Sequence, residues 1–116
     1  MLYQSAGLRR PVTDLAHIER MYASSPLVIT AWDGDSLVGI LRGWTDGAYD
    51  GYVCDLAIHA GSQKTGIGRA LLEQIRVRYP DVQWLLLASL IAKDYYAHLG
   101  WKRVEHGWHW PRPEWK

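Results

Sequence analysis

The chain of 116 residues has no phenylalanine, a single cysteine and almost no net charge. One cysteine, Cys54, excludes an intramolecular disulfide and a multi-cysteine zinc site, and fits a reducing compartment. Thirteen Lys and Arg against twelve Asp and Glu leave a formal charge of +1, so no strong field is available to hold a nucleic-acid backbone or an anionic membrane surface. The longest apolar run, Trp84 to Leu87, is far too short to span a bilayer, and the opening MLYQSAGLRRP has no apolar stretch of signal-peptide type. These absences argue against nucleic acid and membrane as partners and point to the cytoplasm. Repeats, low-complexity tracts and Pro/Gly/Ser linkers are also missing, so residues 1–116 read as one domain. What is there suits a single core: 48% hydrophobic and 22% charged residues, with seven Trp and seven Tyr supplying rings whose polar handles need hydrogen-bond partners when buried.

Local patterns then order the elements. Thr13 as N-cap, Asp14 in the first turn, and Leu15, Ile18 and Met21/Tyr22 at helical spacing predict a helix ending near Ser24–Pro26. Leu27 to Trp32 and Leu37 to Trp44 flank Asp33-Gly34-Asp35 and read as an antiparallel hairpin. Tyr52 to Ile58 is a third strand, with Leu56 and Ile58 on one face and Asp55 and Ala57 on the other. A glycine turn follows, then a helix on which Ile67, Leu71, Ile75 and Tyr79 recur every four residues before Pro80. Gln83 to Ser89 is a nearly continuous apolar run, the pattern of a parallel strand buried on both faces and reached by a right-handed helical crossover. A last helix, Ile91 to Leu99, stops at Gly100, and one strand with a Pro-containing tail is expected over Trp101 to Lys116.

The glycine turn points to an anion. A helix N-terminus presents unpaired N–H groups and the positive end of the peptide dipoles, and glycines let a phosphate approach closely. A P-loop needs Lys directly after its last Gly, but Ile67 follows Gly66 while Lys64 and Thr65 precede it. A dinucleotide fingerprint needs a third Gly where Leu71 stands. A plain connection without a ligand is the remaining reading of the turn by itself.

The whole phrase from Asp55 to Leu72 carries more. Leu56-x-Ile58 followed by Gln63-x-x-Gly66-x-Gly68 resembles the acyl-CoA-binding motif of the GNAT N-acyltransferase superfamily, and Tyr95-Tyr96-Ala97-His98-Leu99-Gly100-Trp101 is similar to a second motif of that family at the right distance. The resemblance covers about Leu27 to Val104. It implies an α/β fold: a mixed, twisted sheet with flanking helices, splayed between its two parallel strands so that the pantetheine arm lies in the split. Ala60, Ser62 and Ser89 stand where the family usually has Pro, an aromatic and Asn. Leu2 to Leu8 looks like the end of the family's first helix, so the fold is expected to be N-terminally shortened.

The resemblance also implies roles. Backbone N–H groups around Leu56, Ala57 and Ile58 would hold the thioester carbonyl and pantetheine of acetyl-CoA, and the turn Gln63, Lys64, Thr65, Gly66, Ile67, Gly68 and Arg69 would hold the pyrophosphate. Tyr96 matches the family's proton donor to the leaving thiolate, a reasonable acid because a phenol near pKa ~10 faces a thiolate of similar basicity. Tyr95 is its competitor and reads as core. Asp55 is a candidate general base, directly or through water, against the alternative of a structural carboxylate; His59 lies on the same face. Cys54 reads as a buried small hydrophobe. Trp101, Trp108, Trp110 and Trp115 crowd the last sixteen residues and suit edge-strand packing, a dimer surface or an apolar acceptor pocket. His106 and His109 lack a third ligand, so no metal is expected. The expected activity is acetyl transfer from acetyl-CoA to a primary amine; the alternative is an acyl-CoA-binding sensor or regulatory module, and a homodimer is possible.

Overall fold

The computed structural model describes residues 2–63, 65–89 and 92–113. Two short helices, α1 (Leu2–Ala6) and α2 (Leu15–Ala23), precede three strands, β1 (Leu27–Asp33), β2 (Ser36–Thr45) and β3 (Asp50–Ile58). Helix α3 (Ile67–Arg78), strand β4 (Gln83–Leu86) and helix α4 (Lys93–His98) follow. The sheet runs β1-β2-β3-β4, antiparallel except for the parallel pair β3/β4 that α3 connects.

One face carries α3, whose Leu71, Leu72 and Ile75 pack with Leu27, Leu41 and Val53. The other carries α1, whose Tyr3 is buried with Ile40 and Ala57 while Ile18 and Tyr22 of α2 pack alongside. Ridges at helical spacing on α3 thus meet alternate residues on the strands, as the periodicity requires.

The register of β2 and β3 slips at one point. Arg42 opposes Asp55 but Gly43 opposes Val53, which leaves Cys54 as the extra residue of a β-bulge. The bulge sends Val53 into the α3-side core while Ala57 enters the α1-side core, with Asp55 between them.

Four expectations are corrected here. Asp14, not Thr13, is the N-cap of α2, because its side chain accepts from the His17 N–H at 3.1 Å. Strand β4 stops at Leu86 and is an outer strand of the described sheet with alternating exposed and half-buried residues, so it is not covered on both faces. Residues 101–113 form no strand. Helix α4 begins at Lys93, and Ile91, where its start was expected, lies outside the described residues. Gly100 adopts φ +91° at the helix end, as a C′ glycine does.

Candidate active site

Strands β3 and β4 are paired only from Asp50 to Val53 against Gln83 to Leu86. Beyond the bulge, Cys54–Ile58 keeps β2 on one side and has no β4 ladder on the other. The direction of its backbone groups follows from one bond: His59 N–H donates to the Val38 carbonyl at 2.8 Å. Antiparallel ladders alternate, so Ala57 and Asp55 also face β2, whereas the N–H and C=O of Leu56 and Ile58 face the open side. The Ile58 carbonyl accepts from Gln63 Nε2 at 3.1 Å, on that same side. Of the three residues named for the thioester and pantetheine, Leu56 and Ile58 thus present amides to the split, and the amide of Ala57 is turned to β2. A small cavity of about 50 Å³ opens there, with Arg10, Cys54, Leu56, Leu86, Ser89 and Tyr96 among its lining.

The turn from β3 into α3 is built by local bonds. His59 Nδ1 accepts from the Gly61 N–H at 3.1 Å, so this ring serves the loop. Thr65 donates to the Ser62 carbonyl, and Ala60 N–H donates to Ser5 Oγ of α1 at 2.9 Å. Gly66 is the N-cap of α3 at φ +89°, with no side-chain cap, and a Cβ there would meet nothing within 4 Å. The N–H groups of Ile67, Gly68 and Arg69 have no partner within the helix and crowd its positive end. Lys64 lies outside the described residues. Gly68 differs from Gly66: it is buried, and a Cβ on it would lie 2.7 Å from the Tyr95 hydroxyl. Its missing side chain makes room for the Tyr95 phenol of α4.

The two adjacent tyrosines therefore separate. Tyr95 reaches across to Gly68, while Tyr96 points its half-buried ring into the core beside Leu56 and Leu86 and lines the cavity at the split. Tyr96 meets Tyr95 edge-on at 5.4 Å and Trp101 at 6.0 Å between ring centroids. Burial, with Tyr95 nearby, pushes the Tyr96 phenol up to about 12, so it stays protonated at neutral pH but is a weaker acid than the free phenol whose pKa matches that of a thiolate.

Asp55 has a different setting from the one a base needs. It is 1% exposed, on the α1 side of the sheet. One oxygen accepts from Arg10 Nε at 2.6 Å; the other accepts from Arg42 Nε at 2.6 Å and from the Tyr3 hydroxyl at 2.8 Å. Burial raises its pKa, but Arg42, Arg10 and Tyr3 outweigh that and hold the carboxyl below the usual range. Buried and engaged by three donors, Asp55 has the setting of a structural carboxylate, the alternative to a base. Tyr3 also bonds Tyr22, whose ring lies 5.8 Å below the Arg42 guanidinium, and Arg42 donates to Ser25 Oγ at 3.1 Å. Sequence reading missed Tyr3, Arg10 and Arg42. A cross-strand charge pair in the hairpin register was a signal for Arg42 alone.

Elsewhere, Cys54 is half-buried at the bulge, its thiol pushed up by burial. Trp101 packs on Tyr96, but Trp108 and Trp110 are 99% and 96% exposed and cover no edge; Trp115 lies outside the described residues. Among the described residues no group of three or more His, Cys, Asp or Glu could hold a metal ion, and no helix is long and apolar enough to cross a membrane. A larger groove of about 450 Å³ lies between α3, Trp84 and Leu99–Trp101, away from the split; the chemistry-bearing groups line the smaller one.

Comparison with known proteins bears on the fold and the family. The family model described as an acetyltransferase (GNAT) domain matches residues 5–107. An uncharacterized N-acetyltransferase, ycf52, of Gracilaria tenuistipitata var. liui is 29% identical over 104 residues, which cover 85% of this chain and 57% of that protein; the chain thus spans little more than half of that relative's length. Among solved structures, a GNAT family acetyltransferase of Streptococcus pneumoniae TIGR4 is 25% identical with a TM-score of 0.78, over 97% of this chain and 87% of that one. An aminoglycoside acetyltransferase from an uncultured soil metagenomic sample, solved with sisomicin, shares the fold at TM-score 0.67 and 18% identity, over 97% and 80% of the two chains.

Proposed function

Because the chain belongs to the GNAT acetyltransferase family, we propose that it transfers the acetyl group of acetyl-CoA to a primary amine of a small molecule or peptide by direct attack. The observation that carries this reading is the split between β3 and β4: the ladder ends at Val53, the Leu56 and Ile58 amides face away from β2, and Leu56 and Tyr96 line the cavity there. When bound, acetyl-CoA supplies a thioester carbonyl for the amine to attack and a thiolate that leaves.

The chain's own groups divide the remaining work. The amides of Leu56 and Ile58 donate to the thioester carbonyl and the pantetheine arm, where fixed donors favour developing negative charge. The open αL turn at Gly66 and the first amides of α3, from Ile67 to Arg69, take the pyrophosphate, with Gln63 tying the loop back to β3. Tyr96 gives its proton to the thiolate and regains one from solvent. The amine nitrogen sheds two protons, one from the ammonium before attack and one after attack as the C–S bond breaks, and both leave through water, because Asp55 is engaged by Arg10, Arg42 and Tyr3. The sensor alternative is not favoured, since it gives the Tyr96 hydroxyl no task.

A cytoplasmic location fits the single free cysteine, and a homodimer fits two fully exposed tryptophans, Trp108 and Trp110. A panel of primary amines, including aminoglycosides and polyamines, with free CoA measured as product, tests the activity. Release of CoA that depends on an amine supports it; a chain that binds acetyl-CoA but releases none with any amine returns the sensor reading.

A further inference from the structure

The bulge at Cys54 is held by a side chain from far upstream. A bulged residue loses its ladder partner, and the Cys54 carbonyl instead accepts from a terminal nitrogen of Arg10 at 3.1 Å. That same nitrogen lies 2.6 Å from Asp55 Oδ1, and Arg10 Nε reaches the same oxygen at 2.6 Å. Arg10 so grips the backbone on one side of the Cys54–Asp55 peptide and the side chain on the other. Asp55 is itself moored to β2 through Arg42 and to α1 through Tyr3, which makes the grip rigid. Leu56 follows directly, and it and Ile58 carry the amides that face the split. Arg10 also lines the small cavity that Tyr96 lines.

We infer that Arg10 is a positioning residue for the acyl-donor pocket, clamping the Cys54 bulge so that the Leu56 and Ile58 amides are aimed into the split; this rests on the acetyl-CoA reading above. The clamp needs a guanidinium. A planar fork can serve a carboxylate and a carbonyl together, whereas a lysine ammonium is a point donor that holds one of them well.

The test needs the donor alone and no acceptor. The full chain, Arg10→Ala and Arg10→Lys are saturated with acetyl-CoA carrying 13C at the thioester carbonyl, and the carbonyl stretch is read by isotope-difference infrared spectroscopy beside calorimetric affinities for CoA. In the wild type the stretch falls below that of free acetyl-CoA, as for any carbonyl receiving aligned donors. In Arg10→Ala about half or more of that fall is lost while CoA affinity stays within about threefold, since the pyrophosphate amides are untouched. Arg10→Lys lies between. Where Arg10→Ala unfolds cooperatively, added guanidinium ion restores its stretch toward the wild-type value; where it does not, Arg10→Lys decides. An unchanged stretch in the folded variants overturns the clamp and leaves the donor site standing. No acetyl-CoA binding by the wild type overturns the donor site and the clamp together.

Discussion

The hydroxyl of Tyr95 lies 2.7 Å from the point a Cβ on Gly68 would occupy. Helix α4 is thereby seated on the first turn of α3 by a glycine and a phenol far apart in sequence. Alanine in a helix is worth about 1 kcal/mol over glycine, but at position 68 the gain is offset by displacing Tyr95. In a Tyr95→Phe background the nearest ring atom is 3.6 Å away, an ordinary contact. Gly68→Ala is therefore expected to be more favourable in Tyr95→Phe than in the wild type by about 0.5–1 kcal/mol. Urea unfolding of the four proteins measures the coupling, and additive effects would refute the contact.

Tyr96→Phe should lower turnover by ~10²–10⁴-fold and leave acetyl-CoA affinity nearly unchanged, the pattern of a lost general acid. The phenol loses its proton only as pH rises through about 12. Between pH 7 and 9 the wild-type rate therefore carries no falling limb from this group. Equal turnover in the two proteins, once an acceptor is known, would make water the proton source.

Gly66→Ala places a Cβ in the left-handed region at φ +89°, where alanine costs more than about 1 kcal/mol. Thermal unfolding should show that loss, and calorimetry a weaker affinity for CoA, because the turn that presents the α3 amides is the strained element. Gly66→Asn should recover part of both, as Asn tolerates this region. A Gly66→Ala protein of wild-type stability and affinity would place the phosphate site elsewhere.

Asp55→Asn leaves the Arg10 and Arg42 guanidinium groups without their carboxylate, and at neutral pH it should cost ~3–5 kcal/mol, as for other broken buried pairs. The pH dependence has a definite sign. The folded pKa of Asp55 is depressed, so its ionic contribution is present above the unfolded value near ~3.9 and is lost as pH falls through the folded value. The stability gap between wild type and Asp55→Asn should stay constant from pH 7 to 5 and shrink as the solution is acidified below ~4. A gap that does not change on acidification would mean the carboxylate contributes no charge.

If Trp108 and Trp110, 99% and 96% exposed in a single chain, are covered by a second copy, Trp108→Ser with Trp110→Ser should shift sedimentation from dimer to monomer without changing the unfolding midpoint of the monomer. A wild type that sediments as a monomer at high concentration would remove the homodimer.

Much of the fold could be read locally. The Asp33-Gly34-Asp35 turn, the alternation of Asp55 to Ile58 and the four-residue recurrence on α3 each depend on neighbours a few positions apart, and the structure places all three where those patterns point, while the bulge at Cys54 breaks the alternation before Asp55. Strand β4 was misjudged because an apolar run reports a preference for burial, while the depth of burial depends on which strands and helices lie beside it. Here β3 lies on one side only, and only as far as Leu86.

The sequence by itself determined the order of strand, glycine turn and helix, and the position of two adjacent tyrosines before Gly100, since backbone preference and periodicity are local. Only the tertiary structure decided what Asp55 and the two tyrosines touch. Asp55 has its partners at positions 3, 10 and 42, brought together by α1 folding over the sheet and by the hairpin register. Tyr95 and Tyr96 are chemically alike, and their settings part because one ring reaches Gly68 and the other the split. Contacts of this kind depend on where distant elements converge, and a bulge of one residue at Cys54 is enough to redirect every group that follows it on the strand.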